Sequence, residues 1–131
     1  EISAWLSRIL TRFIDLVFDL RHVRYSAHLS RVLAYLREHF REPITLSKVA
    51  SAVSLSRGYL GRIFRSEFRS SFSGYLQRLR IQEAKRLLKS SAMPMGDVGA
   101  ASGFSDHSYF SQVFRRETGV SPSEYRRKPV V

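Results

Sequence analysis

Cysteine is absent from the 131 residues, so the chain carries no disulfide framework, no thiolate zinc site and no cysteine nucleophile. Its absence fits a reducing compartment. Acidic side chains are scarce, 11 against 22 lysines and arginines, which leaves a formal net charge of +11. Long apolar runs are missing too. The stretch 9–20 is broken by Arg12, Asp15 and Asp19, so it is no membrane span, and no signal peptide is visible. Paired carboxylates, a nucleophile beside a base, a metal-ligand cluster and a phosphate loop are all lacking. An enzyme, a metal or a cofactor is therefore not expected.

What is present suits a folded, polyanion-binding chain. A hydrophobic content of 44% is ordinary for a globular protein, and the length allows one or two small domains with cores. The positive charge is uneven. Residues 1–40 hold six arginines against four acids, whereas 41–131 hold sixteen basic side chains against seven acids. The C-terminal two thirds is thus the part attracted to a polyanion, nucleic acid first and an anionic membrane surface second. The first residue is Glu1 rather than Met, as expected of a fragment or a processed chain.

Periodicity predicts helices throughout. Ile2, Leu6, Ile9, Phe13, Leu16, Leu20 and Val23 recur at spacings of four and three, a heptad seam that Leu10, Ile14 and Val17 widen. Three coverings fit it: a second copy of the chain through residues 1–25, an upstream domain, or the rest of this chain. A membrane surface fits less well, because the polar face mixes Asp with Arg. Residues 21–28 are polar and irregular, a joint between two parts. Leu29, Val32, Leu33, Leu36 and Phe40 make an amphipathic helix stopped by Pro43. Thr45 caps a short helix, and another begins at Ser56 with Tyr59, Leu60, Ile63 and Phe64 on one face. Together they form a helix-turn-helix candidate. A long helix is predicted over 71–89, followed after Pro94 by a short helix over 95–101 and a further one over 105–116. A capped final turn is predicted over 121–127. The helix over 105–116 buries Tyr109, Phe110, Val113 and Phe114 and shows His107, Ser108, Ser111, Gln112 and Arg115, the donor-rich exterior that suits a DNA major groove.

The chain contains this unit twice. At an offset of 50, Tyr59, Phe64, Arg65, Glu67, Ser71 and Tyr75 fall on Tyr109, Phe114, Arg115, Glu117, Ser121 and Tyr125. Upstream, an offset of 49 pairs Leu46 with Met95, Val49 with Val98, Leu55 with Phe104 and Ser56 with Ser105. Two helix-turn-helix units joined by a long helix follow from this. About eighteen residues at 1.5 Å rise span roughly 27 Å. Recognition helices must sit about 34 Å apart to enter successive major grooves on one face of DNA. One chain can then read a non-palindromic site without a partner.

The quoted pieces have a known counterpart. Residues 29–127 resemble the AraC/XylS family of bacterial transcription regulators, through Thr45-Leu46, Val49-Ala50, Tyr59-Leu60, Arg62, Phe64-Arg65, Arg80-Ile81 and Leu87-Leu88. The match is strongest at Gly103-Phe104-Ser105-Asp106, Tyr109-Phe110, Phe114-Arg115, Gly119-Val120-Ser121-Pro122 and Tyr125-Arg126. The resemblance implies an all-α fold. In it an N-terminal amphipathic helix (1–25) precedes a DNA-binding domain (29–128) with units at about 29–70 and 93–127. It further implies double-stranded DNA as ligand, RNA polymerase as partner, a regulatory domain before Glu1 and a bacterial, cytoplasmic, nucleoid-associated location.

By that resemblance the first recognition helix faces bases with Gly58, Gly61 and Arg62, and Arg57 stands near its start. Two glycines there put specificity on Arg62, which can pair with guanine O6 and N7 or else contact phosphate. They also weaken the helix by about 0.8–1.0 kcal/mol each against alanine and permit close backbone approach. In the second helix the positions are His107, Ser108, Ser111 and Gln112, where Gln112 suits adenine N6 and N7. Phosphate contacts are expected from Thr45, Ser47, Arg65, Arg78, Arg80, Lys85, Arg115 and Arg116. Tyr59, Phe64, Tyr109, Phe110 and Phe114 are expected in the core. Arg69 stands where the repeat has Gly119, so the first unit's closing turn is expected to be strained. Gly99 replaces Ala50 of the first unit and is expected to loosen its helix. A weakly specific architectural DNA binder is the rival reading.

Overall fold

The computed structural model describes residues 2–129, with side chains for 3–13 and 27–129. Among the described residues there are seven helices and no strand: α1 (Ile2–His39), α2 (Leu46–Ala52), α3 (Arg57–Phe68), α4 (Phe72–Ser90), α5 (Met95–Ala101), α6 (His107–Thr118) and α7 (Pro122–Arg127). The all-α expectation holds. Two compact units divide the chain, Glu1–Ala34 and Tyr35–Val131.

The first unit is a stretch of α1. Residues 2–39 contain neither proline nor glycine, so no residue there interrupts the hydrogen-bond ladder. The joint expected at 21–28 is accordingly helical. Trp5, Leu6, Ile9, Leu10 and Phe13 are exposed large hydrophobics. Of the expected seam, Ile2, Leu16, Leu20 and Val23, with Ile14 and Val17 beside it, lie outside the described side chains.

In the second unit, α2 packs on α3 and α3 on α4, while α4 also meets α5, α6 and α7. Ile44, Val49, Ala50, Leu60, Ile63, Phe64, Phe72 and Leu76 are buried. The Phe64 ring lies 5.5 Å from that of Phe72, edge to face. A further core joins Ile81, Ala84, Leu88, Val98, Phe104, Phe110, Val113 and Phe114. Helix α4 thus gives its N-terminal half to one helix-turn-helix and its C-terminal half to the other.

Local sequence sets the helix ends. Thr45, Ser56, Ser71 and Ser121 each accept the backbone N–H three residues on, at the starts of α2, α3, α4 and α7. Such caps contribute about 1 kcal/mol each. Helix α6 opens at His107 rather than 105, because the Asp106 carboxylate accepts the N–H of Ser108 and caps it there. Left-handed residues recur in register. Ser54 (φ 58) and Gly103 (φ 108) sit in the two inter-helix turns, and Arg69 (φ 51) and Gly119 (φ 85) close α3 and α6. Arg69 therefore adopts the glycine-favoured geometry, at about 1–2 kcal/mol for an L side chain.

Gly99 corrects one expectation. It is buried, and a Cβ there would lie 2.8 Å from the Phe110 ring. Glycine is there because α5 and α6 approach closely, not because α5 is loose. In the first helix-turn-helix the equivalent pair is Ala50 and Leu60, a methyl against a narrower side chain, and both are buried.

Candidate nucleic-acid interface

The outer face of α3 carries Arg57, Gly58, Arg62 and Arg65, all exposed, with Gly61 half-buried among them. The two glycines leave a surface hollow of about 410 Å³ lined by Leu46, Arg57, Gly58, Gly61, Arg62 and Arg65. A Cβ at Gly58 would meet nothing within 4 Å, and one at Gly61 only Leu46 at 3.8 Å. Neither glycine is demanded by contacts within the protein. The hollow is basic on its rim and apolar at its floor, so backbone can come close to a ligand while three guanidinium groups surround it.

On α6, His107, Ser108, Gln112 and Arg115 are exposed and Ser111 is half-buried. Phe110, Val113 and Phe114 take the opposite face into the core. Tyr109 departs from the expected pattern: it is 43% exposed, with its ring edge-on to Phe104 at 6.2 Å. Its hydroxyl accepts a hydrogen bond from Gln77 Nε2 on α4. A helical spacing of three and four placed it with the core, but it lies at the stripe's border, where a polar tip reaches the connector. Tyr59 in α3 is likewise only half-buried.

Between the two helix-turn-helix units, both within Tyr35–Val131, lies a cleft of about 530 Å³. Thr45, Arg57, Gly61 and Arg65 line one side, Ser73, Gln77 and Arg80 of α4 another, and Tyr109 the end. Hydroxyls and three arginines share this lining with Ile44, Leu46, Phe72, Leu76 and Phe104, so the cleft offers phosphate-binding groups over a partly apolar floor. Ser71, Ser73 and Gln77 were not singled out from sequence. The only signal was a run of serines before a long helix, which reads equally as a cap.

The expected phosphate contacts separate into groups. Thr45, Ser47, Arg65 and Arg115 are exposed. Arg80 is committed inside the protein: its Nε donates to Phe40 O and its terminal nitrogen to Glu42 O, both at 2.8 Å. Burial lowers its pKa from the ordinary arginine value. These bonds tie α4 to the end of α1, while the half-buried side chain also lines the cleft. Arg78 lines a different hollow with Phe68, Tyr75, Leu79 and Gln82, about half a helical turn round α4 from Gln77 and Arg80. It is not brought to the cleft. Lys85 is half-buried and lines neither the cleft nor the hollow over α3. Arg116 donates to Gln77 Oε1 at 3.0 Å.

Two helix-turn-helix units on one connector, each with an exposed donor face, are thus established by geometry. A family model described as a helix-turn-helix domain matches residues 49–128. The chain belongs to the AraC/XylS family. It is 36% identical over 105 residues to the uncharacterized HTH-type transcriptional regulator YijO of Escherichia coli K12, covering 80% of this chain and 37% of that protein. To the arabinose operon regulatory protein of the same strain it is 33% identical over 122 residues, 92% of this chain and 42% of the relative. The chain therefore spans about two fifths of the length of these relatives. Among solved AraC-type structures, the C-terminal domain of the response regulator AraT from Geobacillus stearothermophilus matches with TM-score 0.73 and 32% identity over 79% of this chain and 87% of that one. The DNA-binding domain of the global transcriptional factor AdpA, solved with a target DNA, matches with TM-score 0.70 and 33% identity over 75% and 88%. Among the described residues no helix is long and apolar enough to cross a membrane, and no group of three or more potential ligands could hold a metal ion.

Proposed function

We propose that this chain binds double-stranded DNA at defined sequences and regulates transcription initiation, with α3 and α6 in successive major grooves. The observation that carries this reading is the pair of exposed donor faces on one shared helix, set in the more basic part of the chain. Helix α4 has 19 residues, about 28 Å at 1.5 Å each, a connector of the size that successive grooves require. Arg57, Gly58, Gly61 and Arg62 address bases from the first unit, and His107, Ser108, Ser111 and Gln112 from the second. Thr45, Ser47, Arg65, Lys85, Arg115 and the outer edge of Arg116 hold phosphates. RNA polymerase is the downstream partner, and the exposed apolar face at Trp5, Leu6, Ile9 and Phe13 joins two copies through residues 1–25. The protein acts in the bacterial cytoplasm at the nucleoid.

Selection of binding sites from random DNA tests the reading. A single bipartite consensus is expected, and affinity that barely differs between the selected site and bulk DNA would favour the architectural alternative. Arg62→Ala and Gln112→Ala should each relax preference at one groove position by about 1–3 kcal/mol. A uniform loss over all sequences would make both residues phosphate contacts instead.

A further inference from the structure

Two groove-reading helices are useful only if their relative rotation is fixed, because a bipartite site has one phase. In α6 the buried face of Phe110, Val113 and Phe114 fixes which side of the helix meets the core, and contacts at the edge of that stripe set the finer rotation. A polar clamp lies at the border of that stripe. The Gln77 side chain, half-buried on α4, donates through Nε2 to the Tyr109 hydroxyl and accepts at Oε1 from the Arg116 guanidinium at 3.0 Å. Tyr109 and Arg116 are seven residues apart, two helical turns, so one amide grips the first and last turns of the same edge, about 10 Å apart along the axis.

We infer that Gln77 is a positioning residue for DNA reading: its forked contact to Tyr109 and Arg116 sets the rotation of α6 against α4. It thereby sets the spacing between the two halves of the bound site. Gln77 lines the cleft between the helix-turn-helix units and both ends of its amide are taken up by α6, so it orients Ser108, Ser111 and Gln112 without reading a base itself. Its neighbour Arg80 grips the end of α1 in the same manner, from the same face of α4. Together the two side chains make this face of the connector a polar latch for the elements on either side.

The inference rests on the DNA-binding reading, and the experiment separates the two. Binding of the full chain is measured on its selected site and on versions with one base pair added or removed between the halves. Wild type is expected to discriminate among these spacings. In Gln77→Ala the discrimination should fall by about fivefold or more, the scale of one or two lost hydrogen bonds. Tyr109→Phe keeps the ring and removes only the hydroxyl, and it should give a smaller fall in the same direction. In Gln77→Glu the carboxylate keeps accepting from Arg116 and accepts from the Tyr109 hydroxyl instead of donating to it, so spacing preference should survive while affinity drops on all sites because of the added negative charge. Gln77→Ala and Tyr109→Phe that weaken all spacings equally, or change none, would overturn the positioning role. A wild-type chain with no preferred sequence at all would overturn the DNA reading and this inference with it.

Discussion

In the first helix-turn-helix, glycine stands inside the recognition helix, at Gly58 and Gly61, while Ser54 and Arg69 hold the two left-handed turns. In the second the arrangement is reversed: Gly103 and Gly119 take the turns, and Ser108 and Ser111 stand in the helix. The two recognition helices and their turns thus use glycine in opposite places. Gly61, interior to α3, costs about 0.8–1.0 kcal/mol against alanine, and each non-glycine left-handed residue costs about 1–2 kcal/mol. Helix α3 with its turns is therefore intrinsically weaker than α6 with its own. Its glycines clear a hollow between arginines, whereas the second unit keeps short hydrogen-bond donors on a firmer helix. On the proposed DNA-binding reading, close approach and charge fall to α3, with Arg62 as its base reader, and most base-edge contact falls to α6.

The sharpest way to break the comparison is at the packed pair each unit uses. Gly99→Ala should destabilise the protein by about 1–3 kcal/mol in urea titration, because its methyl meets the Phe110 ring at 2.8 Å. Adding Phe110→Leu, which recreates the Ala50 and Leu60 pair, should make the double variant less destabilised than the sum of the single ones. An additive double variant would mean the two positions do not compensate. Arg69→Gly, giving the first unit the turn residue of the second, should raise stability by about 1 kcal/mol, the left-handed penalty less the added freedom of the unfolded chain. A thermal scan that shows a lowered midpoint would contradict it. Gly58→Ala and Gly61→Ala should each stabilise the free protein by up to about 0.8–1.0 kcal/mol, since neither Cβ clashes. The same variants should weaken DNA binding if the hollow admits the groove wall, and unchanged affinity would show that it does not.

The smallest effect concerns Tyr75, set among Phe64 and Phe68 of the first unit. Burial raises its pKa above 10.0, against the lowering influence of Arg37 and Arg78. A raised folded pKa favours the neutral phenol, so this contribution is complete below the unfolded value near pH 10 and is lost as pH climbs through the folded one. Tyr75→Phe should therefore flatten the decline in stability as the pH rises above about 10, read as the difference from wild type.

Helix types, their order and most caps were legible because serine, threonine and proline stand at the ends of strongly periodic segments. The duplicated spacing carried the rest of the architecture. Three features were not legible. Tyr109 satisfies the apolar period while its hydroxyl belongs to a residue 32 positions away, and no local pattern records that partner. Arg80 looked like a surface cation on an amphipathic helix, but its carbonyl acceptors, Phe40 and Glu42, come from another element. Gly99 looked like a weak helix residue, since its tight neighbour Phe110 is visible only in three dimensions. At the interface, residue types on α3 and α6 could be read directly, whereas the split among the connector's side chains required knowing which side of α4 each occupies.

Because Leu76 belongs to the first unit's interior and Ala84 to the second's, α4 has a phase as well as a length. Removing one residue between them would draw the units about 1.5 Å together and also turn one against the other by about 100°. Seven residues, two near-complete turns, are the smallest change that nearly restores the rotation, and they would shift the reach by about 10 Å, roughly three base pairs. The segment between those two side chains is therefore fixed in residue count throughout, and in residue type at Gln77, Arg80 and Ile81. Insertions within it should be selected against far more severely than substitutions at its exposed positions, such as Arg78 and Gln82.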